Sequence, residues 1–109
     1  MESKELGIKY DDHQPRWSLL PLDAIEEIVK VLTLGALKYR DNNWQYVEPF
    51  KDRYFSALMR HLRKWQDGYQ FDNDLYEKYG QKISHLALAG CNIIFLLWKE
   101  LQDRKENRK

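Results

Sequence analysis

The feature that most constrains this fold is a long apolar segment near the C-terminal end of the chain. From about residue 81 to past Leu101, apolar residues follow one another so closely that they would cover most of the circumference of a helix. A helix that is apolar on nearly all sides lies at the centre of a bundle or between subunits. The segment therefore predicts a helical protein built around one central helix.

Two earlier segments also have helical periodicity, and each is bounded by residues typical of helix ends. One begins at Pro21, and the other runs from Pro49 to Gly68. Proline is favoured at the start of a helix and glycine at its end. The core stripe expected for the first helix consists of Ile25, Ile28, Val29, Leu32, Ala36 and Tyr39.

The expected fold is all-α, a small helical bundle of three main helices completed by oligomerisation. Residues 1–20 have no sustained period and predict an extended N-terminal arm whose apolar residues dock onto the body. Residues 21–103 would form a single helical domain, and residues 104–109 a charged tail. Three such helices leave apolar surface uncovered, which predicts a homo-oligomer.

Composition excludes several classes of protein. A formal net charge of +1 argues against stable nucleic-acid binding, although not against local basic patches. The single cysteine, Cys91, excludes an internal disulfide framework. There is no signal-peptide start and no apolar run of about 18 residues, so a cytoplasmic protein without a membrane partner is expected.

The corner between residues 31 and 44 combines groups suited to a phosphate and a flat ring. Lys38 and Tyr39 end an apolar helix, and the polar residues 41–43 and Trp44 follow at once. A cation and turn N–H groups bind phosphate, whereas an aromatic face stacks on a ring. A helix that simply ends with a basic last turn explains the same run, and is the commoner case.

Further polar candidates lie on the second and third helices and between them. Arg60 and His61 could clamp phosphates, or His61 could simply complement a helix C-terminus. His85 and Asn92 share one face of the apolar helix, so they either face a ligand cavity or form a structural polar contact. Residues 65–77 contain four Asp or Glu and no Lys or Arg, which suits a divalent cation or a solvated face.

Several blocks of this sequence resemble one phage and bacterial family. Residues 14–21 (QPRWSLLP) look like its K-P-R-x-D-L-L-P opening, and residues 31–44 like its V-L-T-x-G-A-x-K-Y…N-W block. Residues 57–62 (ALMRHL) and 85–97 match its A-L-x-R-H-L and H-L-x-x-A-x-x-N-x-x-F-L-L blocks. The family is the dATP/dGTP diphosphohydrolase N-terminal type, loosely related to the all-α MazG-like nucleotide pyrophosphohydrolases.

The resemblance implies a nucleotide ligand and metal-dependent cleavage of a (d)NTP to (d)NMP and pyrophosphate, with Mg²⁺ or Mn²⁺ as cofactor. It implies the host cytoplasm if the chain is phage-encoded. The expected catalytic residues are Glu27, His61 and His85, and the expected metal ligands are Glu27, Asp72 and Asp74. The expected nucleotide-binding residues are Arg16, Lys38, Tyr39, Asn43, Trp44, Arg60 and Asn92.

Two alternatives remain open at this stage. The family's G-E-x-x-D sequence is GYQFD at residues 68–72, and Glu26 and Glu27 are adjacent rather than three residues apart. A chain with so few paired carboxylates could bind and sequester a nucleotide, including a host immune signal, without cleaving it. It could also be a helical interaction module whose polar stripe fixes the register of a partner.

Overall fold

The computed structural model describes residues 6–107, which form four α-helices joined by short loops. Within that range there is no strand, so the all-α prediction is confirmed. A 3-10 turn at Trp17–Leu19 precedes the first helix, and another at Asn43–Tyr46 precedes the second. The α-helices are α1 (Leu22–Lys38), α2 (Phe50–Gln66), α3 (Asn73–Tyr79) and α4 (His85–Asn107).

The first two helices begin and end where the sequence predicts. Pro21 and Pro49 occupy the N-cap positions of α1 and α2, where a missing N–H group costs little. Gly68, just beyond α2, has a φ of 97°, a backbone conformation that favours glycine. The two prolines therefore mark the starts of α1 and α2, and Gly68 marks the end of α2.

The short helix α3 lies in the polar segment between the second and third expected helices. The Asp72 carboxylate caps it by accepting a hydrogen bond of 2.9 Å from the Leu75 N–H. Gly80 ends it with a φ of 69°. Leu75 packs against the core, so α3 is held to the body by its apolar side chain.

The central helix α4 begins at His85, four residues later than expected. The segment before it is extended and pairs with residues 70–72, where the Asp72 N–H donates to Ile83 O and the His85 N–H donates to Gln70 O, both at 2.8 Å. Ile83 is 1% exposed, and its burial fixes this segment against the body. Because residues 83–85 pair with residues 70–72, the helix cannot begin before His85. It then continues to Asn107, through most of the expected tail.

The core forms two clusters along α4, which packs chiefly against α2 and also against α1. One cluster contains Leu34, Ile83 and Ala87, and the other contains Phe50, Cys91 and Phe95. Gly90 lets α1 approach α4, because a Cβ atom there would lie 2.9 Å from the Ile28 Cδ1 atom.

Two expectations about packing are wrong. The core residue of α1 is Leu34, whereas Val29 and Tyr39, expected in the core stripe, are 47% and 63% exposed. Leu34 faces the Ile83 cluster because α4 covers the α1 surface that also carries Val31. The described part of the arm does not dock onto the body, since residues 6–20 are all exposed. Residues 1–5 of the expected arm and residues 108–109 of the expected tail lie outside the described residues.

Apolar surface remains uncovered on α4, as the sequence predicts. Leu86, Ile93, Leu97 and Leu101 are each more than 40% exposed. Within residues 6–107, none of the helices combines the length and the apolar character that crossing a membrane requires.

Candidate functional site

A large cleft lies between the C-terminal half of α1, the loop after it, α2 and α4. Its volume is about 910 Å³, within the range of small-molecule sites in proteins. Its floor is apolar and is formed by Leu32, Ala36, Leu88, Cys91 and Phe95. A ligand there would therefore lie on the junction of the three main helices.

The wall of the cleft is strongly cationic. Arg40 from the loop and Arg53 and Arg60 from α2 all line it, while Asp41 is the only carboxylate among its lining residues within 6–107. Arg53 donates a hydrogen bond of 3.3 Å to Glu48 O, which connects its side chain to the loop just before α2. One guanidinium group can donate two parallel hydrogen bonds to two phosphate oxygens, so this wall suits a polyanion.

Aromatic side chains also line the cleft, and together they are called the aromatic rim: Tyr39, Trp44, Tyr54 and Phe95. Trp44 stacks on Phe95, with ring centroids 4.2 Å apart and planes 10° from parallel, and meets Trp98 edge-on at 4.8 Å. Tyr54 donates a hydrogen bond of 2.8 Å to Trp44 O, and burial raises the pKa of its phenol to about 12. Trp44 is thus held rigidly, with one of its two faces already covered by Phe95.

Asn92 is the one buried amide on the cleft wall. It is 7% exposed, and its Nδ2 atom donates a hydrogen bond of 2.9 Å to Leu88 O within α4. One of the two amide N–H groups is therefore used by the helix, and the second N–H and the carboxamide oxygen are the groups that Asn92 offers to a ligand.

A cluster of His61, Asp72 and His85 lies at one end of the cleft. The two Nδ1 atoms are 2.9 Å apart, and one ligand atom from each of the three residues lies within 4.8 Å of the others. His85 is buried and the other two are partly buried. Of the three, only His61 also lines the cleft.

The environment of His61 disfavours its charged form. Burial lowers its pKa below the ordinary value, and the neighbouring His85 lowers it further, whereas Asp72 acts in the opposite direction. His61 is therefore neutral at pH 7, the state in which an imidazole nitrogen accepts a hydrogen bond or binds a metal.

The structure brings together most of the expected nucleotide-binding residues but not all of them. The Lys38 Nζ atom lies 5.1 Å from the centroid of the Tyr39 ring, and Arg16 is on the exposed arm. Neither lines the cleft. The expected residues that do line it are Tyr39, Asn43, Trp44, Arg60 and Asn92.

The expected catalytic and metal-binding residues separate into two places. His61, His85 and Asp72 meet in one cluster, the only group of three or more potential metal ligands within residues 6–107. Glu27 lies on α1 and forms an ion pair of 2.9 Å with Lys30. Asp74 is exposed in the first turn of α3, so neither it nor Glu27 joins the cluster.

Sequence reasoning missed Arg40 and Arg53. Arg53 is seven residues before Arg60 on α2, a spacing that places both on one helix face. The helical spacing of these two arginines is therefore a sequence signal that predicts Arg53 beside Arg60. Arg40 directly follows Tyr39 in the corner already singled out. It lies 5.2 Å from the Tyr46 ring, a contact that depends on the fold of the loop.

By its fold and site, this is an all-α protein with a cationic, aromatic-rimmed cleft. The chain belongs to the family described as dATP/dGTP diphosphohydrolase, N-terminal, whose sequence pattern matches residues 4–109. Among curated proteins it is similar to one named dATP/dGTP diphosphohydrolase from Salmonella phage PMBT28, with 30% identity over 92 residues. That alignment covers 84% of this chain but only 29% of the relative. No solved structure matches.

Proposed function

We propose that this chain binds a purine deoxynucleoside triphosphate in the cleft, as part of a nucleotide pyrophosphohydrolase. The observation that carries the proposal is the cleft itself, whose lining combines three guanidinium groups, aromatic side chains and apolar residues. The family and the name of the phage relative support a dATP-like or dGTP-like substrate. The relation to MazG-like enzymes stays a prediction.

In this proposal the two halves of the ligand bind to different sides of the cleft. Arg40, Arg53 and Arg60 hold the phosphates through charge-assisted hydrogen bonds. The base lies against the aromatic rim, using the free edge or face of Trp44 because Phe95 covers the other face. Asn43 and Asn92, which both line the cleft, would read polar edges of the base.

The proposed reaction is hydrolysis at the α-phosphorus. The oxygen of a water molecule forms a bond to that phosphorus, the bond to the bridging oxygen breaks, and pyrophosphate leaves. One proton passes to solvent, and the remaining product is the nucleoside monophosphate. Guanidinium groups on the cleft wall would stabilise the charge that develops on the phosphates, and His61 would orient the water.

Mg²⁺ does not fit the one ligand cluster that the described residues form. Magnesium prefers an all-oxygen environment, whereas the cluster offers two imidazole nitrogens and one carboxylate. We therefore assign no step to Mg²⁺. Its binding by Glu27, Asp72 and Asp74, and that of Mn²⁺, stay predictions.

A second candidate function is binding without cleavage. It is favoured by the lining of the cleft, where Asp41 is the single carboxylate among many cationic and apolar residues. Such a site could hold a nucleotide tightly while lacking the carboxylates that many nucleotide hydrolases use to position metal and water.

Incubation with a panel of nucleotides tests the proposal. The protein would be incubated with dATP, dGTP, the other dNTPs, NTPs and cyclic nucleotides, with and without added divalent metals, and the filtrate and the denatured protein would be chromatographed. We expect dAMP or dGMP and pyrophosphate in equal amounts. Intact nucleotide released only on denaturation would favour the second candidate, and no retention or turnover of any nucleotide would contradict both.

A further inference from the structure

We propose that His61, Asp72 and His85 form a binding site for a transition-metal ion of the Zn²⁺ or Co²⁺ type. The ligands would be the two Nδ1 atoms and one carboxylate oxygen of Asp72. Binding of the ion does not depend on the nucleotide. Contact between the ion and the phosphates of a nucleotide, by contrast, rests on the function proposed above.

The donor set selects the class of metal. Two imidazole nitrogens and one carboxylate oxygen are a common ligand set for zinc in catalytic sites and for other first-row transition metals. In such sites three protein ligands leave at least one position open for water or substrate. Mg²⁺ and Ca²⁺, by contrast, take oxygen ligands almost exclusively.

The spacing of the two imidazole nitrogens matches that around a bound ion. Two nitrogens at about 2.0–2.1 Å from a zinc ion, at angles of about 90–110°, would be separated by about 2.9–3.4 Å. The Nδ1 atoms of His61 and His85 are 2.9 Å apart. One Asp72 oxygen lies within 4.8 Å of a ring nitrogen of each histidine, so three-fold ligation would need a side-chain rotation that brings it closer.

Three different elements hold the ligands in place. His61 lies on α2, Asp72 caps α3 and His85 begins α4. The backbone pairing of residues 70–72 with residues 83–85, through two hydrogen bonds of 2.8 Å, fixes Asp72 beside His85. One Asp72 oxygen, Oδ1, already accepts the Leu75 N–H, which orients the carboxylate and leaves Oδ2 for an ion.

A direct hydrogen bond between the two imidazoles is the competing explanation of the short distance. One neutral ring would then donate from Nδ1 and the other would accept. That arrangement accounts for the two histidines and leaves the partly buried Asp72 carboxylate with its role as the cap of α3 alone. A metal ion would use all three groups and compensate for their burial.

The site opens toward the cleft through one ligand. His61 lines the cleft next to Arg60, so a bound ion would lie beside the cleft wall. An ion there could contact a phosphate oxygen or a water molecule, completing the cationic wall.

Metal titration in the absence of nucleotide tests the site. Untagged protein would be stripped with chelator and titrated with Zn²⁺ by calorimetry and with Co²⁺ by visible absorption. We expect one ion per chain and Co²⁺ bands typical of mixed nitrogen and oxygen ligation. Because no nucleotide is present, failure of this test is separate from failure of the proposed function.

Substitutions with matched controls locate the ion. His61→Gln removes one ligand, and Asp72→Asn removes the charge while an asparagine still caps α3. Each should weaken affinity by at least about tenfold, whereas His13→Asn on the exposed arm and Asp74→Asn on α3 should not. Thermal unfolding would verify that each variant is folded. Absence of binding to the wild-type protein, or equal affinity in all four variants, would overturn the proposal.

Discussion

Polar groups on α4 are placed where burial changes their chemistry. Asn92, His85 and Cys91 all lie on the side of the helix that meets the body, and each is less than 10% exposed. Asn92 satisfies its nitrogen within the helix, and His85 meets His61. Cys91 has no such partner and is surrounded by the aromatic core.

The Cys91 thiol should therefore be unreactive in the folded protein. Burial raises its pKa from 9.0 to about 12, so at pH 8 its thiolate fraction falls by about a thousandfold. Iodoacetamide labelling at pH 8, followed by mass spectrometry, should show far slower alkylation of native protein than of protein unfolded in urea. Equal rates in the two states would show that the thiol is exposed or ionised.

At the scale of elements, the sequence determines α1, α2 and α4 through apolar residues at helical spacing and through terminal Pro and Gly residues. The corner of the cleft was predictable for the same reason. Tyr39, Asn43 and Trp44 are near one another in the chain, so a helix end and a short loop bring them together. The ends of α1 and α2 agree with that prediction to within a residue or two.

The metal cluster could not be predicted in this way. His61 and His85 are 24 residues apart, and their contact depends on how residues 67–84 fold back. Periodicity does not reveal α3, whose seven residues are too few for a clear pattern, or the backbone pairing of Phe71 with Ser84. Asp72 was singled out for its charge, but its position beside two histidines is a tertiary effect.

At the scale of the whole molecule, the chain exposes more surface than a compact protein of its mass. Its accessible surface is 9617 Å², against about 6,400 Å² expected for a monomeric protein of this mass. Its radius of gyration is 19.1 Å, against about 13 Å for a compact domain of this length. The excess surface includes the arm and the uncovered apolar side chains of α4.

We therefore propose that a second copy of this chain covers the exposed apolar face of α4. Light scattering should give at least twice the chain mass of 13.2 kDa. Leu97→Glu should shift the protein toward the monomer, because Leu97 is 50% exposed on that face and a charge there would be buried by association. A monomer at all concentrations would contradict the proposal.

The central claim is that the cationic cleft binds a nucleoside triphosphate, and a calorimetric titration tests it most directly. The ligand would be dGTP or dATP with a methylene group in place of the α,β-bridging oxygen, so that cleavage cannot consume it. Arg60→Gln removes a guanidinium from the cleft. Arg63→Gln is the matched control, because Arg63 lies on the same helix but pairs with Asp67 at 3.0 Å and does not line the cleft.

We predict binding to the wild-type protein, an affinity at least about tenfold weaker in the Arg60 variant, and little change in the Arg63 variant. Wild-type protein that binds neither analogue, or equal losses in the two variants, would contradict the account.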